Sequence, residues 1–258
     1  MVITLLSDFG DVYPASMKGV ILGINPDANI VDISHSVPRH DVHAGAFMLM
    51  NCARYFPSGT VHIAVVDPGV GTRRRPIAIR AEAPGSGLQY FIGPDNGILI
   101  PAARSIGDFE VYEITNKKLI RESISGTFHG RDIFAPVGAH ISNGMDIGDV
   151  GELVFDFVNL DFVVGIKKKR SLEGRIIFID SFGNIVTNIP SGMVEFRQGD
   201  VLEIEKKQVL FQSSYGFCKK DEPLVLIGSH GYLEIAVNQG SAAEFFDKKQ
   251  GDKIIIKT

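Results

Sequence analysis

Cysteine is nearly absent. Only Cys52 and Cys218 carry a thiol, and no CxxC pair occurs. That excludes a disulfide scaffold and fits a reducing, cytoplasmic setting. Long apolar runs are also missing. None approaches the roughly 18 residues of a membrane helix, so no membrane partner is expected. The opening residues "MVITLLSDFG" have no basic stretch and meet an acid at position 8, which does not read as a signal peptide. Charge of one sign is lacking too: 26 Lys and Arg stand against 30 Asp and Glu, a net of −4. Nucleic acid is therefore not an expected partner. The one basic cluster, "KKKR" at 167–170, reads as a solvated linker. No GxGxxG opens a helix after the first strand, and "GVGT" lacks the lysine of a phosphate loop. His35, His40 and His43 fall in a Pro-interrupted loop without metal-ligand spacing, so a structural role is expected and no metal.

What is present is a regular alternation of elements. "VITLLS", "NIVDIS", "TVHIAVVD", "RRPIAIRA" and "LQYFIGP" are strand-like, while "ASMKGVILGI", "VHAGAFMLMNCARYF" and "RDIFAPVGAHISNG" are helix-like. This predicts an α/β fold, with a Rossmann-like domain over residues 1–165 built on a mainly parallel sheet. From "RIIFIDSF" onward strand follows strand at short spacing, and only "GSAAEFF" looks helical. Residues 166–258 are thus expected to form a smaller β-barrel or sandwich.

In an open parallel sheet, ligands bind beyond the carboxyl ends of the strands. Four loops there carry ionisable residues beside glycine: "SDFGD" (Asp8, Asp11), "VVDPG" (Asp67), "GPDNG" (Asp95) and "GTFHGRD" (His129, Asp132). In the second domain "IDSFGNIVTN" places Asp180, Phe182 and Asn184 around a turn. "GSHGYLEIAVNQGSAA" offers Ser229, His230, Glu234 and Asn238. A carboxylate, an aromatic ring and two amides suit a nucleoside, although plain hairpin turns have the same composition. "AVVDPGVGTRRR" poses a sharper question: why a buried strand ends on an acid and three arginines follow so soon.

"SDFG", "MKGVI", "VVDPGVGTRRRPI", "GPDNG", "GTFHGRDIFAP", "DSFGNIVTNI" and "GYLEIAVNQGSAA", in that order, resemble the S-adenosylmethionine hydrolase family, also called SAM hydroxide adenosyltransferases. That family is related to the fluorinase and chlorinase. The resemblance implies an N-terminal α/β domain, a C-terminal β-barrel, and a homotrimer with substrate held between subunits. It implies hydrolysis of S-adenosyl-L-methionine to adenosine and L-methionine, with no cofactor. Asp67, Arg74 and His129 match the catalytic triad, with Arg75 a contender for the arginine. Asp8 matches the ribose-binding acid, and Asp11, Asp180 and Ser229 match methionine-side positions. Phe182 and Asn184 match the adenine side, with Tyr215 covering the base; Asn238 is a further substrate-binding candidate. His230 stands where the halogenating relatives carry an arginine.

The mechanism then expected has a neutral His129 taking a proton from water, Asp67 fixing its ring or stabilising its cation, and Arg74 stabilising developing hydroxide. Two other readings compete. Asp8, Asp67, Asp95, His129 and Asp132 would suit a metal-dependent hydrolase of nucleotides or phosphate esters. A non-catalytic binder of adenosine compounds would need only the pocket.

Overall fold

The computed structural model describes residues 1–85, 87–160, 162 and 164–257. The chain divides into two compact units, Met1–Asp161 and Phe162–Thr258.

The first unit runs β1 (Val2–Ser7), α1 (Tyr13–Ile24), β2 (Asn29–Ser34), α2 (Val42–Ala53), β3 (Val61–Val65), β4 (Pro76–Ala83), β5 (Gly87–Pro94), α3 (Ile100–Ile106), β6 (Asp108–Glu113), a π-helical turn (Gly130–Phe134), α4 (Ala135–Ser142) and β7 (Leu153–Val154). Its sheet has the order β2-β1-β3-β5-β4-β6-β7. The first four strands are parallel. β4, β6 and β7 extend the sheet by antiparallel pairing. Alternation along β3 sets the two faces. Val61, Ile63 and Val65 join the core formed with α1 and α4. On that side α4 sits very close: a Cβ on Gly138 would lie 2.6 Å from Ile63 Cδ1. α2 packs against α3, and Gly45 of α2 lies against Val66 and Ile98. With both faces covered, every residue of β3 is buried, as expected of a central parallel strand.

β3 also buries a histidine, which needs partners there. His62 Nδ1 lies 2.7 Å from Thr4 Oγ1, and Nε2 lies 2.7 Å from Gln89 Oε1. Gln89 donates its amide hydrogens to the carbonyls of Ala53 and Phe56, so its oxygen is left to accept. Nε2 therefore carries the proton and Nδ1 accepts from Thr4.

The second unit comprises β8 (Ile166–Lys168), β9 (Ser171–Ile179), β10 (Ile185–Pro190), β11 (Val201–Ile204), β12 (Lys207–Phe211), β13 (Pro223–Ile227), β14 (Tyr232–Val237), α5 (Ala242–Phe246) and β15 (Lys253–Lys257). The order β10-β14-β13-β12-β11-β15-β9 closes on itself through β9–β10 pairing, giving a seven-stranded barrel. β15 illustrates its packing: Ile254 and Ile256 are buried, and the alternate residues Lys253, Ile255 and Lys257 are exposed. The "KKKR" stretch is not a linker. Ile166–Lys168 pairs with β9, and Lys167 and Lys168 reach Glu195 and Glu173. Lysines on a short terminal strand keep that edge from pairing further. Among the described residues no helix is long and apolar enough to cross a membrane.

Burial lowers the pKa of His62 from 6.5 to about 4. The unfolded chain therefore binds the extra proton first as pH falls. Stability from the neutral ring is fully present above pH 6.5 and is lost as pH drops toward 4. The loss attributable to this one group is expected to approach roughly 3 kcal/mol. Urea titrations across that window should show it, and His62→Gln should flatten the profile.

Candidate active site

Three of the sequence-predicted residues gather beyond the carboxyl ends of the parallel strands. Asp8 follows β1, and Asp67 lies two residues beyond β3. His129 immediately precedes the π-helical turn. All three line a cavity of about 230 Å³. The β1 loop is pinned by Gly10 N–H to the His35 carbonyl (2.9 Å) and by Ser7 Oγ to His35 Nδ1 (2.8 Å). His40 N–H donates to Asp8 Oδ2 at 2.9 Å, from a backbone held at φ 65°.

Arg74 joins the other two groups from behind the cavity wall. Its Nε donates to both Asp67 oxygens at 3.0 Å, and Nη2 also donates to Asp67 Oδ2. The same Nη2 lies 3.0 Å from His129 Nδ1. A guanidinium only donates, so Nδ1 is the acceptor and the neutral ring carries its proton on Nε2. Burial and the Arg74 cation both push the His129 pKa below its ordinary value. The guanidinium also lies over the Phe134 ring, 5.1 Å from its centroid. Of the two roles expected for Asp67, fixing the histidine ring falls instead to Arg74, with Asp67 holding that guanidinium in turn.

Gly71 makes that contact possible. At φ 76° a Cβ would lie 2.2 Å from the Gly126 carbonyl oxygen. Only glycine lets the 67–74 loop approach the 126–129 loop this closely.

The second unit has its own cavity, of about 630 Å³. Asp180, Phe182, Asn184, Tyr215 and Asn238 line it. Asp180 organises the β9–β10 turn: Oδ1 accepts from the backbone N–H of Phe182 and of Asn184, and Oδ2 from the Asn184 amide, all at 2.9 Å. Phe182 is left 77% exposed at this cavity.

Two family models match the chain, the SAM hydroxide adenosyltransferase N-terminal domain over residues 3–151 and the C-terminal domain over residues 174–255. The chain belongs to the SAM hydroxide adenosyltransferase family. It is 37% identical over 272 residues to the (R)-S-adenosyl-L-methionine hydrolase of Methanocaldococcus jannaschii, covering 99% of this chain and 95% of that one. The hydrolase of Salinispora tropica is 35% identical over 257 residues, covering 98% and 96%. A fluorinase from an Actinoplanes species is 30% identical over 289 residues, covering 97% and 95%. Among solved structures, an uncharacterised conserved protein from Thermotoga maritima superposes with a TM-score of 0.91 at 35% identity over both whole chains.

Two expected residues stand apart. Asp11 is exposed and does not line the 230 Å³ cavity. Ser229 is exposed at the turn between β13 and β14 and does not line the 630 Å³ cavity. Conversely, Phe9, Arg39, His40, Thr127 and Phe128 line the first cavity. The signal for Arg39 and His40 was their place in the loop after β2, another parallel strand end. Its three histidines divide: His35 binds Ser7, His40 meets the cavity, and His43 lies in α2.

Three of the four carboxylates proposed for a metal are committed to arginines, and Asp8 accepts from the His40 backbone N–H. Asp67 is held by Arg74, Asp95 by Arg75, and Asp132 by Arg131. A cation would have to displace a guanidinium at each. Among the described residues no group of three or more His, Cys, Asp or Glu is placed to hold a metal ion.

Arg75 faces a different task. Its Nη2 donates to Asp95 Oδ2 at 2.9 Å, and Nη1 to Asp156 Oδ1 at 2.9 Å. Asp95 Oδ1 also accepts Val158 N–H at 2.8 Å, tying the 156–158 segment to the sheet. Arg75→Ala leaves the buried Asp95 without its cation. It is expected to lower the free energy of unfolding by about 2 kcal/mol, while turnover per folded molecule stays near wild type. Denaturant titration beside an activity assay would check both; loss of turnover without loss of stability would exchange the roles of the two arginines.

Proposed function

We propose that this protein hydrolyses S-adenosyl-L-methionine to adenosine and L-methionine by in-line attack of water at C5′. The observation that carries the reading is the continuous Asp67–Arg74–His129 hydrogen-bonded set beside a cavity that also holds Asp8. Named hydrolases related over nearly the whole chain support the substrate.

The chemistry asks for little. As oxygen bonds to C5′, the C5′–S bond breaks and sulfur leaves with the electron pair as a neutral thioether. No general acid is needed at sulfur, and one proton is released overall. The difficult part is the nucleophile. Arg74 Nη1 is buried and has no hydrogen-bond partner among the described residues. Sealed from solvent, Arg74 acts on a bound nucleophile through its charge, which favours hydroxide over water. Asp67 holds the guanidinium plane in place. His129, neutral and fixed through Nδ1, offers Nε2–H to orient the nucleophile. While Arg74 occupies Nδ1, the ring has no free basic nitrogen, so the electrostatic role of Arg74 outweighs general-base catalysis here. Asp8 takes the ribose hydroxyls, and Asp180, Phe182, Asn184, Tyr215 and Asn238 bind the remainder of the substrate, with Asp11 and Ser229 assigned to the methionine side. No metal or cofactor is required by this chemistry.

The expected assembly is a homotrimer whose sites draw on two subunits, and the expected compartment is the cytoplasm, in keeping with two unpaired cysteines. Light scattering tests the assembly: a fully active monomer at micromolar concentration would overturn it.

Incubation with S-adenosyl-L-methionine should yield adenosine and methionine in equal amounts, undiminished by a chelator. Absence of both products from a folded wild type would end the proposal. Arg74→Ala and His129→Ala should each lower kcat by roughly a hundredfold or more, with smaller effects on KM. Asp8→Ala should instead raise KM about ten- to a hundredfold, the usual effect of losing a charged acceptor. The neutral state of His129 is required and its pKa is lowered. The acid limb of the pH–rate profile should therefore fall below pH 6.5, activity being present above it and lost on acidification.

A further inference from the structure

Glu234 is only 4% exposed, in the middle of β14, where Leu233, Ile235 and Ala236 are fully buried. An ionisable group in such a place costs stability unless its oxygens are satisfied. Each has a partner. The Tyr215 hydroxyl donates to Oε1 at 2.6 Å, and His230 Nε2 lies 3.1 Å from Oε2. The histidine tautomer follows from a neighbour: Tyr232 N–H donates to His230 Nδ1 at 3.1 Å, so Nε2 holds the proton that Glu234 receives. The cluster depends on bare backbone at Gly228. A Cβ there would lie 2.4 Å from His230 Nε2 and 2.7 Å from Glu234 Oε2.

Tyr215 also lines the 630 Å³ cavity, together with Phe182, Asn184 and Asn238. Because its hydroxyl is engaged by Glu234, what it contributes to the cavity wall is ring surface. Burial and the adjacent carboxylate push the phenol pKa upward, so it remains a donor.

We propose that Glu234 is a positioning residue for this cavity, holding the Tyr215 ring, with His230 bracing the opposite oxygen, as a fixed wall for a flat heteroaromatic group. The assignment of that group as adenine rests on the function proposed above. A ring fixed in advance loses less side-chain freedom when a base packs on it. Removal of the latch is therefore felt as weaker binding even when the ring is kept.

The test uses full-length protein, with adenosine binding followed by calorimetry and turnover of S-adenosyl-L-methionine followed separately. Tyr215→Phe keeps the ring and removes the latch; Glu234→Leu removes the acceptor. Each is expected to weaken adenosine binding about three- to tenfold, in the range of one hydrogen bond. The kinetic effect should fall mainly on KM. The double variant should be no weaker than the weaker single, because both remove one interaction. Should Glu234→Leu fail to fold, Tyr215→Phe still decides, being a conservative change at a partly exposed site. Unchanged adenosine affinity in Tyr215→Phe overturns the latch, as do single effects that multiply in the double variant. A wild type that binds adenosine yet leaves S-adenosyl-L-methionine intact overturns the hydrolase reading alone. A wild type that fails to bind adenosine overturns the latch alone, turnover of S-adenosyl-L-methionine deciding the hydrolase reading.

Discussion

A buried guanidinium held in two places by one carboxylate is the constraint on which the first cavity depends. The Arg74 and Asp67 side chains are 10% and 4% exposed, so both ions are largely stripped of water. Such a pair is a poor source of net stability, since desolvation offsets most of the attraction. Its value is geometric. A planar fork on a carboxylate has little rotational freedom, and Phe134 closes one face. The direction of Nη2 is thereby fixed, and with it the proton position on His129. One ion pair thus sets the tautomer of a ring belonging to a segment 55 residues away in sequence.

The three arginines after Asp67 separate because β4 begins immediately behind them. Arg73 is exposed, Arg74 turns to Asp67, and Arg75 turns to Asp95. Alternation at a strand start sends neighbours to opposite sides. The basic run that reads as a single cluster therefore holds two arginines with unrelated tasks, Arg74 paired with Asp67 and Arg75 with Asp95 and Asp156. One arranges the cavity wall, and the other clamps the 156–158 segment to the sheet.

The letters alone pointed to the α/β first domain, the β-rich second domain and five of the eight residues lining the 630 Å³ cavity, but only three of the eleven lining the 230 Å³ cavity, because only local signals show there. Strand ends followed by Asp-Gly or His-Gly loops show directly in the letters, as do turns such as Ser-Phe-Gly-Asn. Relations between segments were harder to see. That β4 pairs antiparallel with β5 and β6, extending a sheet whose first four strands are parallel, depends on pairing partners. The fit of Gly71 under the Gly126 carbonyl is likewise invisible until the two loops meet. The lysines at 167–168 misled for a similar reason, since an exposed edge strand has the composition of a linker. His40 was hidden by its context: beside two other histidines it looked like scatter, yet its backbone amide is what Asp8 accepts from.

Charge balance links the first cavity to its proposed substrate. A sulfonium is a cation, and a bare arginine beside it would repel it. Asp67 pairs with Arg74 almost out of solvent, so the two together present little net charge to an incoming ligand. The dipole between them persists. Its positive end is the guanidinium, whose buried Nη1 has no hydrogen-bond partner among the described residues. A fixed dipole of this kind favours an anionic oxygen locally without raising the long-range barrier to a cationic ligand. In the proposed reaction, an aspartate at the end of a buried strand and an arginine returned to it seven residues later would meet two demands at once: tolerance of a sulfonium and stabilisation of hydroxide. Either residue alone would meet only one.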